Sequence, residues 1–249
     1  MISDILLDII KHTANLGIIE LVKLDGTKTE IAIAAIDDDR SVVINGKINT
    51  AIPGLIGTVG LSRISVLNGY LKFDPFASDN AIIKINTQKR GSEEVPAEIA
   101  FDSRCGHTAF YRFMAPEIAN ETINVPPFKG ATFQVSIVPA KSSLKDLSYM
   151  SGILGGLESL FSVQTTTDGD LEFLIGSGPT DRTKIKFASN IKGELKHSWS
   201  YPLATVLSIL KLYDTSESVN MSFSDQGALK IEIKSGIGEY QYILPARSK

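Results

Sequence analysis

A single cysteine, Cys105, is all that this 249-residue chain holds. That excludes an intramolecular disulfide and a cysteine-rich metal site, and it fits a reducing cytosol. Three histidines, His12, His107 and His197, stand too far apart for metal-ligand spacing. There is no excess of base: 25 Lys and Arg face 28 Asp and Glu, a net charge of −3. Total charge therefore calls for no nucleic acid, and a DNA partner would need its cations gathered on one surface. No apolar run approaches the roughly 20 residues that span a bilayer. The N-terminal MISDILLDIIKH has acids among its apolar residues and no small-residue cleavage site, so it reads as no secretory signal. The expected location is the cytoplasm.

The motifs of an enzyme are equally scarce. Cys105 and His107 lie two apart, but a cysteine nucleophile needs its base placed in space, so closeness in sequence says little. IGSGPTD at 175–181 superficially resembles a phosphate loop, yet it leads into the strand-like TKIKF rather than a helix N-terminus and reads as a tight turn. Asp37-Asp38-Asp39 reads as a solvated turn rather than a cation site. No catalytic activity, cofactor or metal is expected.

What is present is patterning. Hydrophobic residues make up 43% and charged residues 21% of the chain, the composition of a folded globular protein. Periodicity separates four short helices from a background of strands, an α+β chain. A helix over about 3–15 puts Ile5, Leu6, Ile9 and Ile10 on one side and Asp4, Asp8, Lys11 and Asn15 on the other. GIIELVKLDGTKTEIAIAAIDDD reads as a hairpin turning at Asp25-Gly26, and SVVINGKI as a further strand. A second helix over about 59–71 buries Leu61, Ile64, Leu67 and Leu71. Three strands follow in AIIKINTQ, VPAEIAF and TAFYRFM.

APEIANETINVPPFKGAT then has neither period and carries three prolines, as an extended connector does. Beyond it the plan restarts: a strand TFQVSIV, a helix AKSSLKDLSYMSGIL, a hairpin turning at Asp168-Gly169, and the strands TKIKFASNIKG and LKHSWS. Pro202 stands in the first turn of a helix burying Leu203, Val206, Leu207 and Leu210. Three strands close the chain. Three landmarks recur at nearly one offset: the Asp-Gly turns and Leu67 with Leu210 are 143 apart, and Asp39-Arg40 with Asp181-Arg182 are 142 apart. That is the mark of an internal duplication, with boundaries expected at 1–114, 115–131 and 132–249.

The outward positions of the last three helices are small or basic: Ser62, Ser65 and Gly69; Lys141, Lys145, Ser148 and Gly152; Ala204, Ser208 and Lys211. Ser and Gly cost helix stability at solvated positions. Lysines four apart among such small residues suit a phosphate backbone passing close by without base readout.

LKDLSYMSGIL, SDQGALKIEIKS, the ending YQYILPA and the Pro-rich connector between equivalent halves resemble the trimeric sliding clamps. The nearest likeness is to the polymerase processivity clamps of large tailed phages, similar in fold to proliferating cell nuclear antigen. The resemblance implies a DNA-clamp fold with two domains per chain and three chains in a six-domain ring. Helices line its inner face and antiparallel sheets lie outside. Such a ring encircles duplex DNA, tethers the replicative DNA polymerase and is loaded by an ATP-dependent clamp loader, in a host's cytoplasm if the protein is viral. The matching DNA-binding positions are Lys11, Arg63, Lys72, Lys141, Lys145 and Lys211. Those of a groove for partner peptide tails are Ile36, Val42, Val125, Pro126, Leu229, Leu244, Pro245 and Ala246. The subunit interface would pair the edge carrying Tyr111 and Phe113 with Lys184, Ile185 and Phe187 of the next copy. The rival class is a non-enzymatic, β-rich oligomeric adaptor of a virion.

Overall fold

A computed structural model describes residues 2–77, 81–124, 130–179 and 181–247. Two compact units emerge: residues 1–126 with 236–240, and residues 127–235 with 241–249.

The first unit starts with helix α1 (Ile2–His12) and a 3-10 turn closed by Gly17. Strands β1 (Val22–Gly26), β2 (Ile31–Ile36), β3 (Val43–Ile48) and β4 (Gly57–Leu61) form a sheet in the order β4-β1-β2-β3. Helix α2 (Ile64–Lys72) and the single turn α3 (Asp74–Ala77) come next. Then β5 (Ala81–Arg90), β6 (Glu93–Ser103) and β7 (Thr108–Arg112) pair in chain order. Helix α4 (Pro116–Thr122) follows.

The structure departs from three local expectations. The first hairpin does not turn at Asp25-Gly26, which pair with Ala32 and Ile31 inside the sheet. The turn is Thr27–Glu30, where the Thr27 hydroxyl accepts the amides of Thr29 and Glu30 at 3.2 and 3.0 Å, a side-chain substitute for a backbone turn. Gly26 is needed for closeness instead, since a Cβ there would stand 2.2 Å from the Leu55 carbonyl oxygen. Leu61 does not belong to the second helix: it pairs with Val22 at the end of β4, and Arg63 in the left-handed region (φ 52°) separates strand from helix. The connector is not wholly extended, because Pro116 opens α4, where its missing N–H is no loss. Ala119 and Ile123 are buried, and a Cβ on Gly60 would stand 3.1 Å from that of Ala119.

The second unit repeats the plan. After β8 (Val135–Ile137) and α5 (Lys141–Leu154), strands β9 (Leu160–Thr165), β10 (Leu171–Ile175), β11 (Thr183–Ala188) and β12 (Trp199–Pro202) pair in the order β12-β9-β10-β11. This is the order of β4-β1-β2-β3. Helix α6 (Leu203–Leu210) precedes β13 (Ser218–Phe223), β14 (Ala228–Lys234) and β15 (Gly238–Pro245), with β8 on the far side of β13. Gly169, at φ 77°, does sit in the β9–β10 turn. Pro202 ends β12 and caps α6 rather than entering it. The strand expected from Leu195 begins only at Trp199, because the Asp225 carboxylate takes the Lys196 and His197 amides at 2.8 and 3.3 Å.

Alternation of apolar residues fills each core. In the second unit Phe173 stacks on Phe187 at 4.0 Å and meets Phe161 and Phe223 edge-on or tilted, with about 1.5–3 kcal/mol of burial from each such side chain. In the first, α1 lays Ile5, Leu6, Ile9 and Ile10 into the core. The opening residues of β15 are counted with this unit. There the Tyr240 ring stacks on His12 at 4.1 Å and its hydroxyl donates to Asp8 Oδ2 at 2.7 Å. Asp8, expected on the water face of α1, is therefore buried.

Candidate nucleic-acid interface

Helix α5 is held by Leu147 and Leu154, which are buried, with Leu144 and Met150 half-buried beside them. That leaves Lys141, Lys145, Ser148 and Gly152 exposed on one side, as a 3.6-residue period requires. Its N-cap, Ala140, supplies no side-chain cap, so α5 draws no capping stability at its N-terminus. In α6 Ala204 is exposed and Ser208 is half-buried, its hydroxyl bonded to the Thr205 carbonyl at 2.8 Å. Lys211 stands exposed in the 3-10 turn that continues the helix. In the first unit Ser65, Gly69 and Lys72 are exposed on α2, Arg63 is exposed just before it, and Lys11 is half-buried on α1. A Cβ on Gly69 or on Gly152 would meet nothing within 4 Å, so neither glycine is required by packing.

Charge is distributed unequally between helices and strands. Five strand cations are paired within 3.0 Å: Lys47 with Glu30 at 2.7 Å, Arg90 with Glu117 at 2.6 Å, Lys184 with Glu172 at 2.8 Å, Lys186 with Asp170 at 2.6 Å and Lys230 with Glu232 at 3.0 Å. Hydrogen bonds from Lys184 and Lys186 hold the Glu172 and Asp170 carboxyls below their ordinary range. Among the described residues, none of Lys11, Arg63, Lys72, Lys141, Lys145 and Lys211 forms an ion pair. Lys141 lies over the Tyr213 ring, 5.3 Å from its centroid, a contact that leaves its charge uncompensated.

The positions expected to line a peptide groove fall in different surroundings. Val42 is buried in the first unit, and Ile36 is half-buried. Leu229 and Leu244 are buried in the second, Ala246 is half-buried and Pro245 is exposed. The buried side chains of Val42, Leu229 and Leu244 offer a ligand no accessible surface. Val125 and Pro126 lie outside the described residues. Cys105 and His107 do not pair: the Cys105 thiol is 3.2 Å from the Ser103 hydroxyl, and the His107 ring is 5.7 Å from that of Phe73. Asp37 serves its own turn, accepting the Ser41 hydroxyl and the Val42 amide.

No family model matches the sequence, and neither does any curated protein. Solved structures do. The structure titled "C-terminal region of FEN-1 bound to A. fulgidus PCNA" aligns at a TM-score of 0.70 with 10% identity, covering 98% of this chain and 96% of that one. A PCNA2–PCNA3 complex from Sulfolobus tokodaii aligns at 0.68 with 15% identity over 99% and 97%. PCNA from Thermococcus kodakaraensis aligns at 0.65 with 14% identity over 97% of each chain.

The chain has the PCNA clamp fold.

In this clamp fold β7 and β11 each stand at the edge of their sheet. Tyr111, Ile185 and Phe187, expected at a subunit interface, turn their side chains into their own cores. The Tyr111 hydroxyl donates to the Ser62 carbonyl, and burial raises its pKa well above the ordinary range. Phe113 is half-buried and Lys184 exposed. What faces outward from β7 is Phe110, in a groove shared with Val66 and Phe73 of the α2 region. In the second unit α5, which packs beside β11, exposes Tyr149 and Ile153, and Leu157 follows it. None of these six was singled out from sequence. The parity of β7 could have found Phe110, since its neighbours on either side must face the other way.

Proposed function

We propose that this chain is a sliding clamp, three copies of which close head to tail around duplex DNA. The observation that carries the reading is the sorting of charge: among the described residues none of the six helix-side cations of the two units has a carboxylate partner, while Lys47, Lys184, Lys186 and Lys230 on the strands each have one. Lysines on helices whose other outward residues are Ser and Gly give a weak, salt-sensitive and sequence-indifferent contact with phosphates. Lys11, Arg63, Lys72, Lys141, Lys145 and Lys211 make that contact. On this reading residues 1–114 and 132–249 are the two clamp domains and 115–131 their connector.

Closure is supported by the two unlike edges. Pairing β7 of one copy with β11 of the next is a heterologous contact, which generates a ring when the rotation closes. It would cover the exposed Phe110, Val66 and Phe73 of one copy with Tyr149, Ile153 and Leu157 of the other. Patches of this kind mark association sites. The ring acts by topology, keeping a tethered DNA polymerase on its template without tight binding, and an ATP-dependent loader opens it. Partners dock through peptide tails, the class exemplified by the C-terminal region of FEN-1 in one similar structure. No helix among the described residues is long and apolar enough to cross a membrane, and no membrane partner is included.

The test is the double variant Lys141→Glu with Lys145→Glu. Its mass in solution should stay at about 81 kDa, three times the 27.0 kDa chain. Loader-dependent stimulation of polymerase should be lost. Full stimulation by the double variant would remove the helical faces from the reading, and a wild-type chain that stays at 27 kDa at high concentration would remove the ring.

A further inference from the structure

The two units differ at one sheet edge. In the second unit β8 lies along β13 and pairs Val135, Ser136 and Ile137 with Phe223, Ser222 and Met221. The side chains it helps cover are sealed, with Met221 and Phe223 at 0% and 1% exposure. In the first unit β5 takes the place of β13 as the first strand after the second helix. Among the described residues nothing pairs with the outer edge of β5. Its core-facing Ile83 and Ile85 stay half-exposed, although their β6 neighbours Phe101 and Ile99 are buried. Ile82 is 63% exposed.

Aligning the core-facing residues of the two strands places Ile83 and Ile85 where Met221 and Phe223 stand, and Lys84 where Ser222 stands. The core-side positions agree, but the outer position does not. In the second unit the Ser136 hydroxyl bonds that of Ser222 at 3.0 Å. In the first, that place holds Lys84, exposed and without a carboxylate partner among the described residues.

We propose that the outer edge of β5 binds an extended segment of a partner protein, added antiparallel in the way β8 is added to β13. Its main chain would supply the hydrogen bonds and alternate side chains the choice of partner. The segment places aliphatic residues opposite Ile83 and Ile85 and an acidic residue opposite Lys84. The usable edge is short, because the β5–β6 register shifts between Asn86 and Thr87 and a bulge ends regular pairing. A second copy of β5 is a poor occupant, since antiparallel self-pairing across this stretch brings two Lys84 side chains together and like charges across strands repel. The inference rests on the repeat within the fold and not on the ring.

The probe is a fluorescein-labelled peptide of residues 133–139 carrying either Ser136→Glu or Ser136→Lys, titrated into the full chain by anisotropy with amide hydrogen exchange in parallel. The Glu peptide should bind about two- to fivefold more tightly than the Lys peptide, the range for one exposed ion pair, and should protect amides within 82–86. In Lys84→Glu, at an exposed site and with the fold checked by circular dichroism, the order should reverse. No binding by either peptide, protection elsewhere than 82–86, or an order unchanged in Lys84→Glu would each overturn the proposal. So would protection of 82–86 that grows with chain concentration in the absence of peptide, which would assign the edge to a second copy.

Discussion

Replacing Tyr240 by Phe removes one oxygen from the first unit and leaves the ring, its burial and its stack on His12 in place. What is lost is the hydrogen bond to Asp8, whose carboxylate is only 7% exposed. A bond to a charged acceptor contributes about 1.5–3 kcal/mol. For a chain of this length that corresponds to a fall in Tm of about 3–12 °C. The effect should be local in origin. Trp199, the one tryptophan, belongs to the second unit, so its fluorescence is the wrong readout. Hydrogen exchange of the α1 amides, read beside a calorimetric melt, is the right one. The control is a double-mutant cycle with Asp8→Asn. In that background the acceptor carries no charge, and Tyr240→Phe should cost about 1 kcal/mol less than in the wild type. An equal cost in both backgrounds, or α1 amides that keep their protection, would refute the idea that a bond between residues 232 apart fastens the first helix.

Burial, with the Lys11 charge beside it, holds the His12 pKa down to about 3, against roughly 6.5 in an unfolded chain; Asp8, 3.8 Å away, opposes this without reversing it. The unfolded chain therefore takes up the proton first, and stability present above about pH 6.5 should be lost as pH falls toward 3, by up to about 1.4 kcal/mol per pH unit; urea midpoints across this range should fall less steeply in His12→Phe. Gly152→Ala should raise stability by about 0.5–1 kcal/mol because nothing stands near the new methyl group, whereas Gly26→Ala should be clearly destabilising because the Leu55 carbonyl is in the way. Thermal melts of the two variants should move in opposite directions. Phe110→Asp, at a side chain 57% exposed, should leave the melting of the chain within about 0.5 kcal/mol of the wild type but lower its mass by light scattering.

Much of the plan was legible because it is written in short-range pattern. The alternation in β2, β10 and β14 and the apolar stripe of α5 follow from periods of 2 and 3.6 residues, and the repeat of those patterns announced two similar halves. The errors arose where a long-range contact overrode local pattern. Leu61, Ile64, Leu67 and Leu71 have helical spacing, yet Leu61 is claimed by Val22 across the sheet. Asp8 falls on the polar side of a helical wheel, but Tyr240 arrives from the other end of the chain to bury it. Helix α4, seven residues long, is too short to show a period and was hidden by the prolines around it. Three of the expected groove positions are buried for a different reason. Leu229 and Leu244 are apolar residues on strands and Val42 directly precedes one, and sequence cannot distinguish a strand's core face from a wall of an open groove.

A net charge of −3 sets no obstacle to a nucleic-acid partner once charge is sorted by element. A lysine 2.6–2.8 Å from a carboxylate, as Lys184 and Lys186 are, presents a dipole whose field dies away faster than that of a single charge. Beyond a Debye length of about 8 Å at physiological salt little of it remains. Lys145 and Lys211, with no carboxylate partner among the described residues, keep their full field at close range. Both are also exposed and hydrated, which keeps each contact weak. Weakness is what a sliding surface needs, since a phosphate held tightly at any one lysine would stop the motion. On the proposed reading the small outward residues would serve the same end from the opposite side. Ser148 and Gly152 give up helix propensity and would in exchange let a backbone pass within reach of the lysines on the neighbouring turn. Longer side chains there would add stability to α5 and hold the phosphates away.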